Sequence, residues 1–429
     1  MAILNLPTKQ RFEPRNMFLI LVARAVCYKK HGMARIITGV DSNGVRHNEP
    51  NYSRDMDELH DGREVTLPDD AKPGKTKLWN MKSWVTTACC DWLGAQLLLW
   101  FTESPASYCQ CRRCTWNRSH CNAYRPHSFW RTPVEGAYQQ VLQKRVYADL
   151  RVVIEGIRAN PPKTKTARAN LFKIHGLNTL YQSWDPEYIR YALPLQIPTD
   201  LMHLFADGLL RSECAWLFFV LFKLGLDEKK ANKRIRSYSW PKDCRIPNLH
   251  PNLREGTTGG VPISSRTMRM TASQMHVFAI HSVELLIGGP DPVLTSDMRS
   301  HPAWRCWCKL AELYTVIVAQ ELPLADIQRI DDLQFEHAVL FDQVPDWAGL
   351  QRPKHHALVH IAEDTWNFGP LRGLWCFVSE NVNQIIKLGA HASNFRNEAA
   401  TVLAYWGMRC GHELCCKCLN GIFYIIHTH

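Results

Sequence analysis

Cys111 and Cys114 stand at C-x-x-C spacing, with Cys109, His120 and Cys121 close by. Two thiolates at this spacing grip one zinc ion, and a closed tetrahedron needs two further ligands. Late in the chain, Pro353-Lys354-His355-His356-Ala357-Leu358-Val359-His360 offers them. His355 or His356 lies one helical turn or slightly more before His360, so two imidazoles can face one ion. The combination predicts a Cys2His2 centre that ties an early loop to a late helix. A local alternative completes the C-x-x-C pair with Cys109 or Cys121. A deaminase-type zinc enzyme needs a catalytic Glu beside a ligand in H-x-E form, and none accompanies these cysteines.

Three acids draw notice for their settings. Asp91 closes the apolar, β-branched run Ser83–Cys90, and a carboxylate at a strand end is a common metal-ligand position. Glu380 falls within Phe368-Gly369-Pro370-Leu371-Arg372-Gly373-Leu374-Trp375-Cys376-Phe377-Val378-Ser379-Glu380-Asn381. An acid in so apolar a run must be paired with a base or bound to metal. Asp200 and His203 form D-x-x-H at the start of an apolar helical stretch, where Asp200 equally suits the N-cap.

The elements that must position these groups change character along the chain. Short apolar runs at Ala2–Leu6, Met17–Ala23 and Ser83–Cys90 predict strands, and Leu93–Phe101 has helical composition. The Asp/Asn/Gly/Pro-rich stretch Asp41–Lys75 predicts loop. From about Pro133 the periodicity turns helical: Val134–Ala159, Leu201–Leu226, Ala272–Ile287 behind a Thr271 cap, Pro302–Leu322, Leu324–Val344, Lys354–Phe368, Leu371–Leu388 and Asn394–Met408.

The chain has 429 residues, 46% of them hydrophobic, enough to build a core. No apolar run reaches the ~18 residues of a membrane span. Met17–Val22 and Trp216–Phe222 stop at Arg24 and Lys223, and Lys9, Arg11 and Arg15 interrupt any signal-peptide core. No membrane partner is therefore expected. Sixteen cysteines without an export signal predict reduced thiols and metal ligands. The net charge of +11 points to an acidic partner, nucleic acid first. Between Ser104 and Asn170 there are 12 Lys/Arg against three acids, so Arg112, Arg113, Lys163 and Lys165 are the expected contacts to a DNA backbone.

Taken together, the segments LNLPTKQRFEPRNMFL, CCDWLGAQ, C-x-x-C, DLMHLF, PKHHALVH and FGPLRGLWCFVSENVNQIIK resemble the CACTA-type (En/Spm) transposases of the Tnp2-like group, from about Ala2 to about Met408. The resemblance implies an α/β fold: a partial RNase H-like core, interrupted by a large all-helical insertion, with a zinc-binding loop, helix-rich overall. It divides the chain into core strands at 1–101, a Cys loop at 102–132, the insertion at 133–352, C-terminal helices at 353–409 and an unmatched tail at 410–429. It implies metal-dependent cleavage and strand transfer of DNA at element ends, in the nucleus, by a homo-oligomeric complex. Asp91 would be the second acid of a DDE triad and Glu380 the third, holding Mg²⁺ or Mn²⁺. The family's first acid precedes the matched segment, so the resemblance implies an incomplete triad and, as an alternative, a non-catalytic DNA- or chromatin-binding derivative or a decayed relic. Asp200 and His203 match its D-x-x-H in a supporting role. Cys111, Cys114, His355 and His360 match a structural zinc arrangement shared with the antigen-receptor recombinase and its Transib relatives, which favours His355 over His356.

Overall fold

The computed structural model describes residues 63–68, 76–81, 111–114, 131–134, 137–140, 152–153, 155–157, 159–177, 197–242, 244–250, 253 and 262–377, with single positions up to 408. It separates into two compact units: Met1–Thr86 with Leu180–Tyr191 and Cys376–His429, and Thr87–Thr179 with Ala192–Trp375.

In the first unit, β1 (Arg63–Pro68) pairs antiparallel with β2 (Thr76–Met81), from Arg63 opposite Met81 to Pro68 opposite Thr76. The expected loop Asp41–Lys75 therefore contains a strand. Asp69, Asp70, Pro73 and Gly74 fall in sequence between β1 and β2. Helical backbone is present at Glu380, whose N–H donates to the Cys376 carbonyl at 2.8 Å.

Among the described residues the second unit carries one hairpin, β3 (Arg131–Val134) with β4 (Ala137–Gln140). The helix expected over Val134–Ala159 thus cannot begin at Val134. Only Glu135 and Gly136 separate the paired Val134 and Ala137, a length and composition that favour a tight hairpin over a helix start.

Everything else described in this unit is helical or irregular. α1 spans Lys165–Ile174. A π-helical segment, Met202–Leu209, runs directly into α2 (Leu210–Lys223), and α3 covers Glu228–Ser237. α4 (Ala272–Ile287), α5 (Ser296–Ser300), α6 (Pro302–Ile317) and α7 (Leu324–Asp342) follow. α8 (Pro353–Ala357) tightens into a 3₁₀ turn at Leu358–His360 and continues as α9 (Ile361–Phe368).

The α/β expectation is overturned. Among the described residues the strands form two separate two-stranded hairpins, and no RNase H-like sheet is present. The expected core strands Ala2–Leu6, Met17–Ala23 and Ser83–Cys90 lie outside the described residues.

Sequence logic accounts for the helical core. α2 is apolar over most of its length and is buried from Ser212 to Leu221, with Trp216, Leu217, Phe218 and Leu221 fully enclosed. Each such side chain contributes roughly 1.5–3 kcal/mol by leaving water. α6 starts with Pro302 at its first position, where the missing N–H costs nothing, and His301 accepts from the Ala303 N–H. Its inward face repeats at three- and four-residue steps through Ala303, Cys306, Trp307, Leu310, Leu313, Tyr314 and Ile317. Thr271 caps α4 as expected and forms a reciprocal capping box with Gln274. No helix among the described residues is long and apolar enough to cross a membrane.

Candidate metal centre

The second unit gathers Cys111, Cys114, His356 and His360 around one point, with all four ligand atoms within 4.8 Å of one another. Cys111 Sγ lies 3.3 Å from His360 Nε2, Cys114 Sγ 3.1 Å from His356 Nε2, and the two Nε2 atoms are 3.3 Å apart. Donors bound to a single zinc at about 2.0–2.3 Å sit roughly 3.3–3.8 Å from each other, so the set fits a tetrahedral ion. All four residues are buried, and the rings of His356 and His360 meet nearly at right angles, 79°. Burial pushes the Cys111 thiol up, but the Cys114 hydrogen bond and the neighbouring His360 and His356 hold it well below the usual thiol range. A depressed thiol is what a metal-binding thiolate needs.

The histidine choice differs from the one the family resemblance favours. Residues four apart on a helical run share a face, whereas residues five apart are turned away from each other. His356 therefore joins His360 on the cysteine side and His355 points to the opposite side. There His355 Nε2 lies 3.2 Å from Glu213 Oε1, and its ring stacks on Trp216 at an interplanar angle of 13°. The Arg352 backbone N–H donates to His355 Nδ1 at 2.9 Å, which leaves the ring proton on Nε2, facing the carboxylate.

Two arginines brace the cysteine loop. Arg112 and Arg113 were expected on a DNA-facing surface, but both are buried, 3% and 7% exposed. Each donates to the Ile197 carbonyl at 3.0 Å, and Arg113 is ion-paired with the fully buried Asp364 on α9. The Arg113 backbone N–H donates to Cys111 Sγ at 3.3 Å. A run of arginines next to a metal-ligating loop serves packing here because the loop is enclosed by 197–200 and α9. Lys163, just before α1, and Lys165, its first residue, are exposed.

Asp200 caps the π-helical segment, accepting from the backbone N–H groups of Met202 at 3.1 Å and His203 at 3.2 Å. Its Oδ2 also lies 2.5 Å from His203 Nδ1, so the D-x-x-H spacing works as a cap that orients a histidine. Glu380 belongs to the other unit. Asp91, Cys109 and Cys121 lie outside the described residues.

A second buried cluster was missed from sequence. Glu213 Oε2 meets His337 Nε2 at 2.9 Å while Oε1 faces His355. Burial raises the Glu213 carboxyl, but His337 and His355 outweigh it and hold it at about 2. Cys306 approaches the same group, yet its thiol is driven well above the usual range, first by burial and then by Glu213. Its Sγ donates to the His337 carbonyl at 3.6 Å, so this cluster is a hydrogen-bonded core network. The available signal was an acid inside the strongly apolar run Leu210–Lys223.

The Cys2His2 set could hold a metal such as zinc, and its donors match that ion. Four protein ligands on one ion would leave no open position for water. No family model, no curated protein and no solved structure matches the chain.

Proposed function

We propose that this chain is a DNA-associated protein of CACTA-transposase type, whose helical unit is clamped by one structural zinc ion. The observation that carries the reading is the convergence of Cys111 and Cys114 with His356 and His360, across 242–249 residues of chain. The motif order of the resemblance and the +11 charge support DNA as the partner and the nucleus as the place of action. Zinc, when bound, supplies a cross-link. The chain's own residues then enclose it: the Arg113 N–H on Cys111 and the Arg113–Asp364 pair keep the cysteine loop against α9.

The reading is tested with zinc-loaded full chain and a labelled DNA duplex. Binding that steepens at low salt, together with one zinc per chain lost in Cys114→Ser, supports it. Absence of duplex binding at low salt overturns the DNA assignment, and zinc retained in both Cys114→Ser and His360→Ala overturns the clamp. The cleavage chemistry of the family would rest on Asp91 and Glu380 with Mg²⁺ or Mn²⁺. Metal-dependent nicking abolished in Glu380→Ala supports that arm, and nicking unchanged in that variant removes it.

A further inference from the structure

We infer that the outer face of α3 is a docking surface for the phosphate backbone of duplex DNA, carried by Lys229, Lys233 and Arg236. This inference rests on the DNA reading above and names a surface that the basic stretch around Lys163 and Lys165 does not include.

Helix α3 divides its residues by role. Ala231, Asn232 and Ile235 are buried, and Asn232 accepts from the Leu249 N–H at 2.7 Å. Two of its cations serve the fold: Lys230 pairs with Asp291 at 2.6 Å, and Arg234 donates to the carbonyls of Leu285 and Gly288. Lys229, Lys233 and Arg236, spaced i, i+4 and i+7, share one exposed face. Lys242 and Arg245 add two exposed cations just beyond the helix.

Two of the nearby acids are engaged by α3 itself. Asp227 caps the helix by accepting from the N–H groups of Lys229 and Lys230, and Glu228 accepts from Asn232 Nδ2. Asp291 is held below its usual range by the Lys230 hydrogen bond and then by Lys230, Arg234 and Lys233 together, so cations outnumber acids on this side. Like charges one turn apart repel, and Asp291, shared with Lys230 and Arg234, offsets only part of the charge of the outer three. A polyanion relieves that repulsion. Seven residues of helix extend about 10 Å, over which one strand of a duplex offers roughly three phosphates at about 3.4 Å each. Arg236 is steadied by Asn248 Oδ1 at 3.2 Å, which reduces the freedom lost on contact.

The test uses zinc-loaded full chain, a fluorescein-labelled duplex, and anisotropy titrations between about 50 and about 200 mM KCl. The triple variant Lys229→Gln/Lys233→Gln/Arg236→Gln is expected to lower the log–log salt slope by about 3, and Lys233→Gln alone by about 1. Zinc content and melting temperature matching the wild type establish that the fold is intact. Should the triple variant not fold, the single variant carries the test. An unchanged slope in a folded variant overturns the inference while the DNA reading stands. Failure of the wild type to bind duplex overturns both. If the variant loses binding to phosphatidylserine vesicles but keeps its DNA slope, the surface belongs to a membrane and the inference is wrong.

Discussion

His355 and His356 are adjacent in sequence and face opposite ways: His355 Nε2 lies 3.2 Å from Glu213 Oε1, while His356 Nε2 lies 3.1 Å from Cys114 Sγ. α8 is therefore fixed from both sides, by a buried carboxylate on α2 and by the cluster of Cys111, Cys114 and His360. The two histidines should separate cleanly in experiment. His356→Ala removes a proposed ligand and is expected to lower zinc affinity by more than the roughly 10–100-fold that loss of an outer-shell partner costs. His355→Gln should keep one zinc per chain while lowering the melting temperature. Zinc content after gel filtration reads the first, and thermal unfolding the second. Zinc lost from His355→Gln but kept in His356→Ala would reverse the assignment.

Glu213 gives the fold an acid sensitivity. Its carboxyl is at about 2 in the folded chain, below the ordinary 4.5. A depressed carboxyl contributes stability that is present above the unfolded value and is lost as pH falls toward the folded one. The window is thus about pH 4.5 down to about 2, and the contribution is on the order of 3 kcal/mol at neutral pH. Glu213→Gln should be less stable than wild type at pH 7, with the gap closing below pH ~4. Urea unfolding of both proteins across that range checks it, using metal-free samples so that zinc release does not enter. A gap that stays constant with pH removes Glu213 as the source.

How far sequence alone could reach is clear from particular residues. The Cys111–Cys114 spacing and the late histidines were legible because ligand spacing is local chemistry. The choice between His355 and His356 rests on helical phase, since four residues and not five bring two side chains to one face, whereas the resemblance favoured His355. Thr271 was legible as a cap because the Thr-x-x-Gln pattern acts within four residues. Arg112 and Arg113 were misplaced because charge alone does not reveal an enclosed partner, and Asp364 lies about 250 residues away in sequence. β1 was hidden by flanking turn residues. The sheet implied by the resemblance is absent from the described residues, since a motif match carries fold only by analogy.

Gly208 allows the π-helical segment to meet α8. A Cβ there would stand 2.6 Å from the His203 carbonyl oxygen and 2.7 Å from Lys354 Cδ. Lys354 Nζ uses that space to donate to the His203 carbonyl at 2.6 Å. Gly208→Ala should therefore destabilise by about 1–3 kcal/mol despite alanine's better helix propensity. Because Lys354 shares α8 with His356, the variant should also yield zinc to a chelator faster than wild type. Wild-type melting and chelator kinetics in Gly208→Ala would show that Lys354 can move aside without consequence.

Arg113 offers the sharpest contrast between a DNA contact and a core ion pair. It is buried against Asp364, whose other oxygen accepts from the Thr199 N–H at 2.8 Å. Removing one partner leaves a charge enclosed without its counter-ion, and losses of this kind cost about 3–5 kcal/mol. Arg113→Met should accordingly unfold at markedly lower temperature and hold zinc weakly, since the Arg113–Asp364 pair keeps the cysteine loop against α9. Arg113→Met/Asp364→Leu, which removes both charges, should recover much of the lost stability. A DNA-contact role predicts the reverse pattern: near-native melting in Arg113→Met and a salt slope reduced by about 1. Differential scanning calorimetry of the single and double variants, paired with the salt titration on the fraction that remains folded, decides between the two. Recovery in the double variant with an unchanged slope assigns Arg113 to the packing of the cysteine loop against α9.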